Sequence, residues 1–284
     1  MRIFMPFFVL LLLVQSSYAS QSTITESEGY ACMGDDKSRH QTEEAAMADA
    51  KRKAAEHAVS YLKSETHIKD MELEKDLVSA FTNGTVKVIQ ELEKAWYKDP
   101  AVGDCFKVRI KAEVVPDEKA IKAASKGNAA SDDPALPLKV SVWTDKKEYR
   151  NSEKIRVYLK GNKPFYARVL YRDSKGTTLQ LLPNPYRTEN YFNGGVVYEI
   201  PSGNDRFELE VSPPFGEESV VVYAGTTELG NIEVVSSGAV YQVKTKTRSI
   251  GSMTRGVKLK EKTVGSGASA SEFYEDTLSV STVK

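Results

Sequence analysis

Cysteine and histidine are scarce in this chain, and each scarcity removes a class of chemistry. Cys32 and Cys105 form no CxxC pair, and His40, His57 and His67 show no HExxH or comparable ligand spacing. A metal centre or redox thiol pair has no basis here, no cofactor is expected, and the histidines read as surface or partly packed groups. No GxSxG serine motif occurs. Gly265-Ser266-Gly267 sits in a Ser/Ala-rich stretch without a strand before it or a helix after it, which excludes a phosphate loop. After the first residues, no apolar run approaches the roughly 20 residues that a membrane-spanning helix needs. Excess charge is missing as well. The 39 basic and 39 acidic residues cancel, so no global field draws the chain to nucleic acid or anionic lipid. Among so many carboxylates chance pairs are unavoidable, and none is read as catalytic. The expectation is a protein that is not an enzyme.

What is present begins with an export pattern. Met1-Arg2 gives a short positive start, and Ile3 to Val14 is an apolar run of 12 residues. Ser17 and Ala19 then form the small–x–small arrangement that a signal peptidase accepts, so residues 1–19 are expected to be a cleaved signal. No cysteine stands at that point to carry a lipid. The expected destination is the periplasm of a bacterium. Loss of the signal removes Arg2 alone among the charged residues and leaves a net charge of about −1. In an exported chain, an even cysteine count favours a Cys32–Cys105 disulfide. It would close a loop of 73 residues, worth on the order of 4 kcal/mol in the chain-entropy model.

The pattern along the chain predicts an α+β fold in two units. The first, over 26–120, opens with the short apolar stretch Tyr30–Met33 and a turn at Gly34-Asp35-Asp36. Ser38 with Gln41 makes a capping box. Met47, Ala50, Ala54, Ala58, Tyr61 and Leu62 mark the buried stripe of a helix, and the alanines imply close packing. Leu77, Phe81, Val88, Leu92 and Trp96 read as a second stripe, with a turn or tight contact at Gly84 and an end at Asp99-Pro100. Phe106 to Val114 alternates as a strand with one apolar and one charged face. A small two-helix α+β domain results, with both helices on one face of its sheet. Residues 121–137 lack apolar periodicity and are read as a linker.

From 138 to 284 the chain shows short alternating runs: 138–143, 155–159, 167–171, 196–200, 207–211 and 219–224. Turn residues such as Asp173-Ser174-Lys175-Gly176 and Asn193-Gly194-Gly195 punctuate them. An all-β sandwich-like domain is predicted. Its last part is basic and rich in Ser and Thr, and Leu278 to Val283 reads as a returning final strand.

Two resemblances accompany this reading. Val142-Trp143-Thr144-Asp145-Lys146 with Tyr149, Phe165 to Tyr171, Leu181-Leu182-Pro183-Asn184, Ile200-Pro201 and Pro213 to Glu218 occur in an order that resembles the bacterial family catalogued as domain of unknown function 4384. The Leu-Pro-Asn step is the most specific part. The resemblance implies a sandwich-like module with no established activity. One departure is Asn151-Ser152, where a Gly-Asp pair is expected. The alanine-rich helix from Glu43 to Tyr61, Trp96, and Cys105-Phe106-Lys107-Val108 look like the N-terminal domain of flagellar assembly protein T and related small lipoproteins, more loosely.

Two stretches stand out as contact surfaces. Tyr186, Arg187, Tyr191 and Phe192, in a Pro-rich loop, combine rigidity with aromatic and guanidinium groups. Lys244, Lys246, Arg248, Arg255, Lys258, Lys260 and Lys262 form a basic run that reads as a solvated edge or as a contact to an anionic surface. The expected function is an envelope accessory protein that binds or assembles with other envelope proteins. The second reading is recognition of cell-wall glycan or peptidoglycan by exposed aromatics. Nucleic acid is not an expected partner.

Overall fold

The computed structural model describes residues 20–65, 71–117, 132–238, 240–255 and 270–284. The expected signal, the linker over 121–131, His67, Lys258, Lys260 and Lys262 lie outside the described residues. Among those described, antiparallel β-sheet predominates and there are three helices: α1 (Arg39–Glu65), α2 (Met71–Thr82) and α3 (Thr247–Arg255). None is long and apolar enough to cross a membrane.

The first unit is built from β1 (Ser20–Cys32), α1, α2, β2 (Thr85–Asp99) and β3 (Gly103–Val115). The capping box forms as expected: Ser38 N–H donates to Gln41 Oε1 at 2.8 Å, and Gln41 N–H to Ser38 Oγ at 3.2 Å. Ala46, Ala50, Ala54, Ala58 and Leu62 then recur on one face of α1 and pack against Phe106, Val108, Ile110, Ala112 and Val114 of β3. Small residues let the helix approach the sheet closely. On one edge, the second half of β1 has no strand beside it, because β14 (Ser271–Val283) pairs only with Ser20–Ile24, while β3 runs along the other edge from Thr23 to Cys32. The helix supplies the missing partners there. Asp49 accepts from Tyr30 N–H at 3.1 Å, and His57 Nδ1 lies 3.1 Å from the Glu26 carbonyl. An exposed strand edge is thereby closed off.

The expected second helical stripe is corrected. Leu77 and Phe81 lie on α2, but the helix ends at Thr82 and Val88, Leu92 and Trp96 belong to strand β2. A side chain at Gly84 would lie 2.5 Å from the Val115 carbonyl oxygen, so the tight contact falls at the break itself. Cys32 and Cys105 are register partners on β1 and β3 and are joined as a disulfide, with Cα atoms 3.9 Å apart.

The second unit contributes β4 (Val140–Thr144), β5 (Glu148–Arg150), β6 (Val157–Gly161), β7 (Phe165–Arg172), β8 (Thr178–Leu182), β9 (Tyr191–Phe192) and β10 (Tyr198–Ile200). It continues with β11 (Gly216–Gly225), β12 (Val234–Ser237), β13 (Val240–Val243) and β14. A three-stranded sheet β10-β6-β4 packs over β7, β8, β11 and β14 around Tyr149, Leu159, Phe165, Val169, Phe192, Ile200, Val222 and Tyr274. Alternating strand residues fill this sandwich core.

The two units share one sheet, ordered β12-β13-β8-β7-β11-β14-β1-β3-β2. The last strand, β14, is the seam. It pairs with β11 from Gly216↔Thr282 to Gly225↔Phe273 and with β1 from Ser20↔Glu275 to Ile24↔Ser271. Following alternate residues from the pair Thr23↔Glu272 puts α1, α2 and the small sheet on one face. Helix α3 covers part of the other, over Ile24, Leu170, Val221, Tyr223 and Phe273. The end of the expected linker is fixed rather than free. Asn162 Nδ2 donates to the carbonyls of Asp133, Leu136 and Pro137 at 2.9–3.2 Å, and Leu136 is buried.

Candidate functional site

The loop between β8 and β10 is shaped from its buried parts outward. Asn184 is fully buried and organises the turn that follows β8. Its Nδ2 donates to the Leu181 carbonyl at 2.7 Å, while its Oδ1 accepts from Tyr186 N–H and Arg187 N–H, both at 2.8 Å. Gln180 Nε2 adds a bond to the Pro183 carbonyl at 2.7 Å. This accounts for the specificity of the Leu-Pro-Asn step: a short amide that both donates and accepts closes the turn and satisfies its inward-facing backbone. Gly194 passes so close to Lys163 that a side chain there would meet that residue's Cα at 2.6 Å.

Tyr186 and Tyr191 stand at the surface, 51% and 52% exposed. Tyr191 packs edge-on against Tyr166 with ring centroids 5.1 Å apart. Arg187 and Phe192, grouped with them in the sequence reading, take a supporting role, and this corrects the expected surface. Phe192 is buried, stacks on Phe165 at 5.2 Å and meets Tyr198 at 4.9 Å. Tyr191 and Phe192 are neighbours in a strand, so they point to opposite sides of it. Arg187 pairs with Asp205 at 3.0 Å and lies over the Phe192 ring at 5.7 Å. Its charge is thus met within the chain. Val196 and Val197, which the sequence reading did not single out, are exposed beside the loop at 45% and 53%.

The basic run divides in a similar way. Lys244, Lys246 and Arg248 are exposed. Arg255 is not part of a basic surface: its Nε donates to Glu113 Oε1 at 2.6 Å, its Nη2 to Glu275 Oε2 at 2.7 Å, and its guanidinium lies 4.4 Å from the Phe273 ring centre. Glu113 also accepts from Ser22 Oγ at 2.7 Å. Beneath the same helix, buried Arg168 donates to the Gly230 carbonyl at 2.8 Å and to Thr254 Oγ1 at 3.1 Å. Burial lowers its pKa, opposed by the nearby Tyr223. These contacts dock α3 on the sheet.

A second exposed aromatic feature occurs on the outer face of the small sheet. Trp143 and Tyr158 are cross-strand partners with centroids 5.6 Å apart and planes within 17°. Glu199 lies opposite Tyr158 and pairs with Arg156 at 3.0 Å. Among the described residues no group of three or more His, Cys, Asp or Glu is placed to hold a metal ion.

Residues 148–228 match the family described as Domain of unknown function (DUF4384). The match takes in the strands from β5 to β11, the Asn184 turn and the exposed loop, and it stops before β14. Within it, Ser152 occupies the turn position noted as a departure and has φ of 66°, a conformation that favours glycine. Neither a curated protein nor a solved structure matches the chain.

Proposed function

We propose that this chain is an exported, non-enzymatic accessory protein of a bacterial envelope that acts by binding other proteins through the loop around Tyr186 and Tyr191. One observation carries the reading. Of the ten large hydrophobic residues exposed among those described, four (Tyr186, Tyr191, Val196 and Val197) fall within a single stretch of the DUF4384 segment. Buried Asn184, Phe192 and the Arg187–Asp205 pair hold that stretch, so little ordering entropy is lost on contact. A photo-crosslinking residue at position 186 or 191 in cells tests it. Capture of defined envelope proteins is expected, and recovery of monomer alone from both positions overturns it.

A second reading, binding of cell-wall glycan, is favoured by the Trp143–Tyr158 stack, whose rings offer an apolar surface beside the Arg156–Glu199 pair. Retention on purified cell wall at physiological salt that is lost in Trp143→Ala supports it. Failure of the unaltered protein to bind removes it.

A further inference from the structure

A small cleft opens where four elements meet on the α3 side of the sheet. Lys111 of β3 lines it, together with Thr227 just after β11, Thr254 at the end of α3 and Ser271 at the start of β14. Ile24, Leu229 and Phe273 border it too, but they are buried. What is offered to a ligand is therefore chiefly one ammonium and three hydroxyls. Alternation sets the ammonium there: Ile110 and Ala112 pack towards α1, so Lys111 between them takes the opposite face.

Two cations in this region have no ion-pair partner among the described residues. Lys111 is half-buried between its register partners Glu26 on β1 and Gln90 on β2. Burial lowers its pKa, and only the attraction of Glu26 opposes that. Arg168 is 7% exposed, and its contacts are with neutral oxygens, the Gly230 carbonyl and Thr254 Oγ1. By donating to Thr254 Oγ1, Arg168 leaves that hydroxyl its own proton to donate and polarises it. The Thr227 and Ser271 hydroxyls have no hydrogen-bond partner among the described residues. Arg255 borders the cleft as well, but Glu113 and Glu275 meet its charge. The local balance favours an anion. Donors on four elements surround a ligand rather than face it from one side, which matches a tetrahedral oxyanion better than a planar carboxylate. Glu228 also lines the cleft. Its carboxylate repels fully ionised sulfate, whereas phosphate keeps a proton on part of its molecules near neutral pH and can donate it there. We propose that this cleft binds a phosphate group, free or as a small monoester, with Lys111 as the charged anchor and Thr227, Thr254 and Ser271 as donors. This inference goes beyond the loop-binding function and does not depend on it.

The full chain is titrated at about pH 6.5, where phosphate is partly protonated, and at constant ionic strength. Inorganic phosphate, glycerol phosphate and sulfate are compared with a chloride control while backbone amide shifts are followed by NMR. Saturable shifts at Lys111, Thr227 and Ser271 are expected with phosphate, with a Kd on the order of 1 mM. Sulfate should bind at least about tenfold more weakly. Lys111→Met should weaken phosphate binding by about tenfold or more, the loss of one charge-assisted contact. Lys111→Arg should retain most of the binding, and Lys244→Met, at an exposed lysine, should leave it unchanged. Binding of glycerol phosphate as well as phosphate assigns the site to monoesters, and binding of phosphate alone assigns it to the free ion. Absence of saturable shifts at Thr227 and Ser271 in the unaltered protein overturns the site, whatever the variants do. Equal affinity for sulfate overturns the assignment to phosphate, and undiminished binding by Lys111→Met overturns the anchor.

Discussion

A side chain at Gly29 would place its first carbon 2.0 Å from the carbonyl oxygen of Ala46 and 2.4 Å from the amide nitrogen of Ala50. Helix α1 therefore rests on the backbone of β1 at this point, and Ser27 Oγ reinforces the contact with a bond to the Ala50 carbonyl at 2.8 Å. Gly29→Ala must push the helix away from the sheet. Overpacking of this kind costs roughly 3 kcal/mol, read as a lower denaturation midpoint in urea. A midpoint within error of the unaltered protein would show that the helix does not sit this close.

Asn184→Ala removes three hydrogen bonds from a fully buried turn. Tyr186 N–H loses its partner and Arg187 N–H keeps only its longer bond, 3.2 Å, to the carbonyl of residue 184, at a cost of about 2 kcal/mol. Amide exchange at Tyr186 and Arg187 should accelerate more than at strand β7. Unchanged protection at those two amides would contradict the organising role given to Asn184.

Arg255→Met leaves Glu113 and Glu275 facing each other without their shared cation. Breaking one side of a buried pair costs about 3–5 kcal/mol. Adding Glu113→Gln should recover part of that loss, because the stranded charge disappears. If the double variant is no more stable than Arg255→Met, electrostatic stranding is not the cause.

Ser152 is the one non-glycine residue with positive φ among those described. Ser152→Gly relieves about 1 kcal/mol of backbone strain, partly offset by the greater freedom of glycine in the unfolded chain. The expected result is a small rise in melting temperature, and a fall would refute it.

Burial alone would raise the Asp49 carboxyl. Hydrogen bonds from Lys53, Arg52 and the Tyr30 N–H outweigh it and hold the group at about 2. Its unfolded value is near 3.9. The folded pKa is depressed, so the stabilisation is complete above about pH 4 and is lost as pH falls towards 2. After solvent screening it amounts to about 1 kcal/mol. Between pH 4 and 2 the melting temperature should fall more steeply for the unaltered protein than for Asp49→Asn, and parallel curves would exclude this contribution.

Local signals were legible in the sequence, whereas pairings between distant residues were not. The capping box and the alanine stripe lie within one turn of their partners or repeat at helical spacing, and α1 follows from them. Val88, Leu92 and Trp96 are spaced by four, which satisfies the period of a helix and is also a multiple of the two-residue repeat of a strand. That spacing does not discriminate, and only the break at Gly84 separates α2 from β2. Tyr191 and Phe192 could have been separated by alternation, since adjacent strand residues cannot both face outward. Arg255 looked like its basic neighbours because Glu113, its acidic partner, is 142 residues away. The final strand was visible as an alternating run, but its place between β11 and β1 depends on contacts far away in sequence.

That place gives the chain an order of completion. Strands β1 and β14 are neighbours although far apart in sequence, so the sheet stays divided until β14 has left the ribosome. Contacts of such long sequence separation form late and slowly. Until then β11 and β1 each present an unpaired edge, and a nascent chain held at this stage is exposed to aggregation. Proteolytic loss of β14 would not trim a margin. It would split the molecule through its centre.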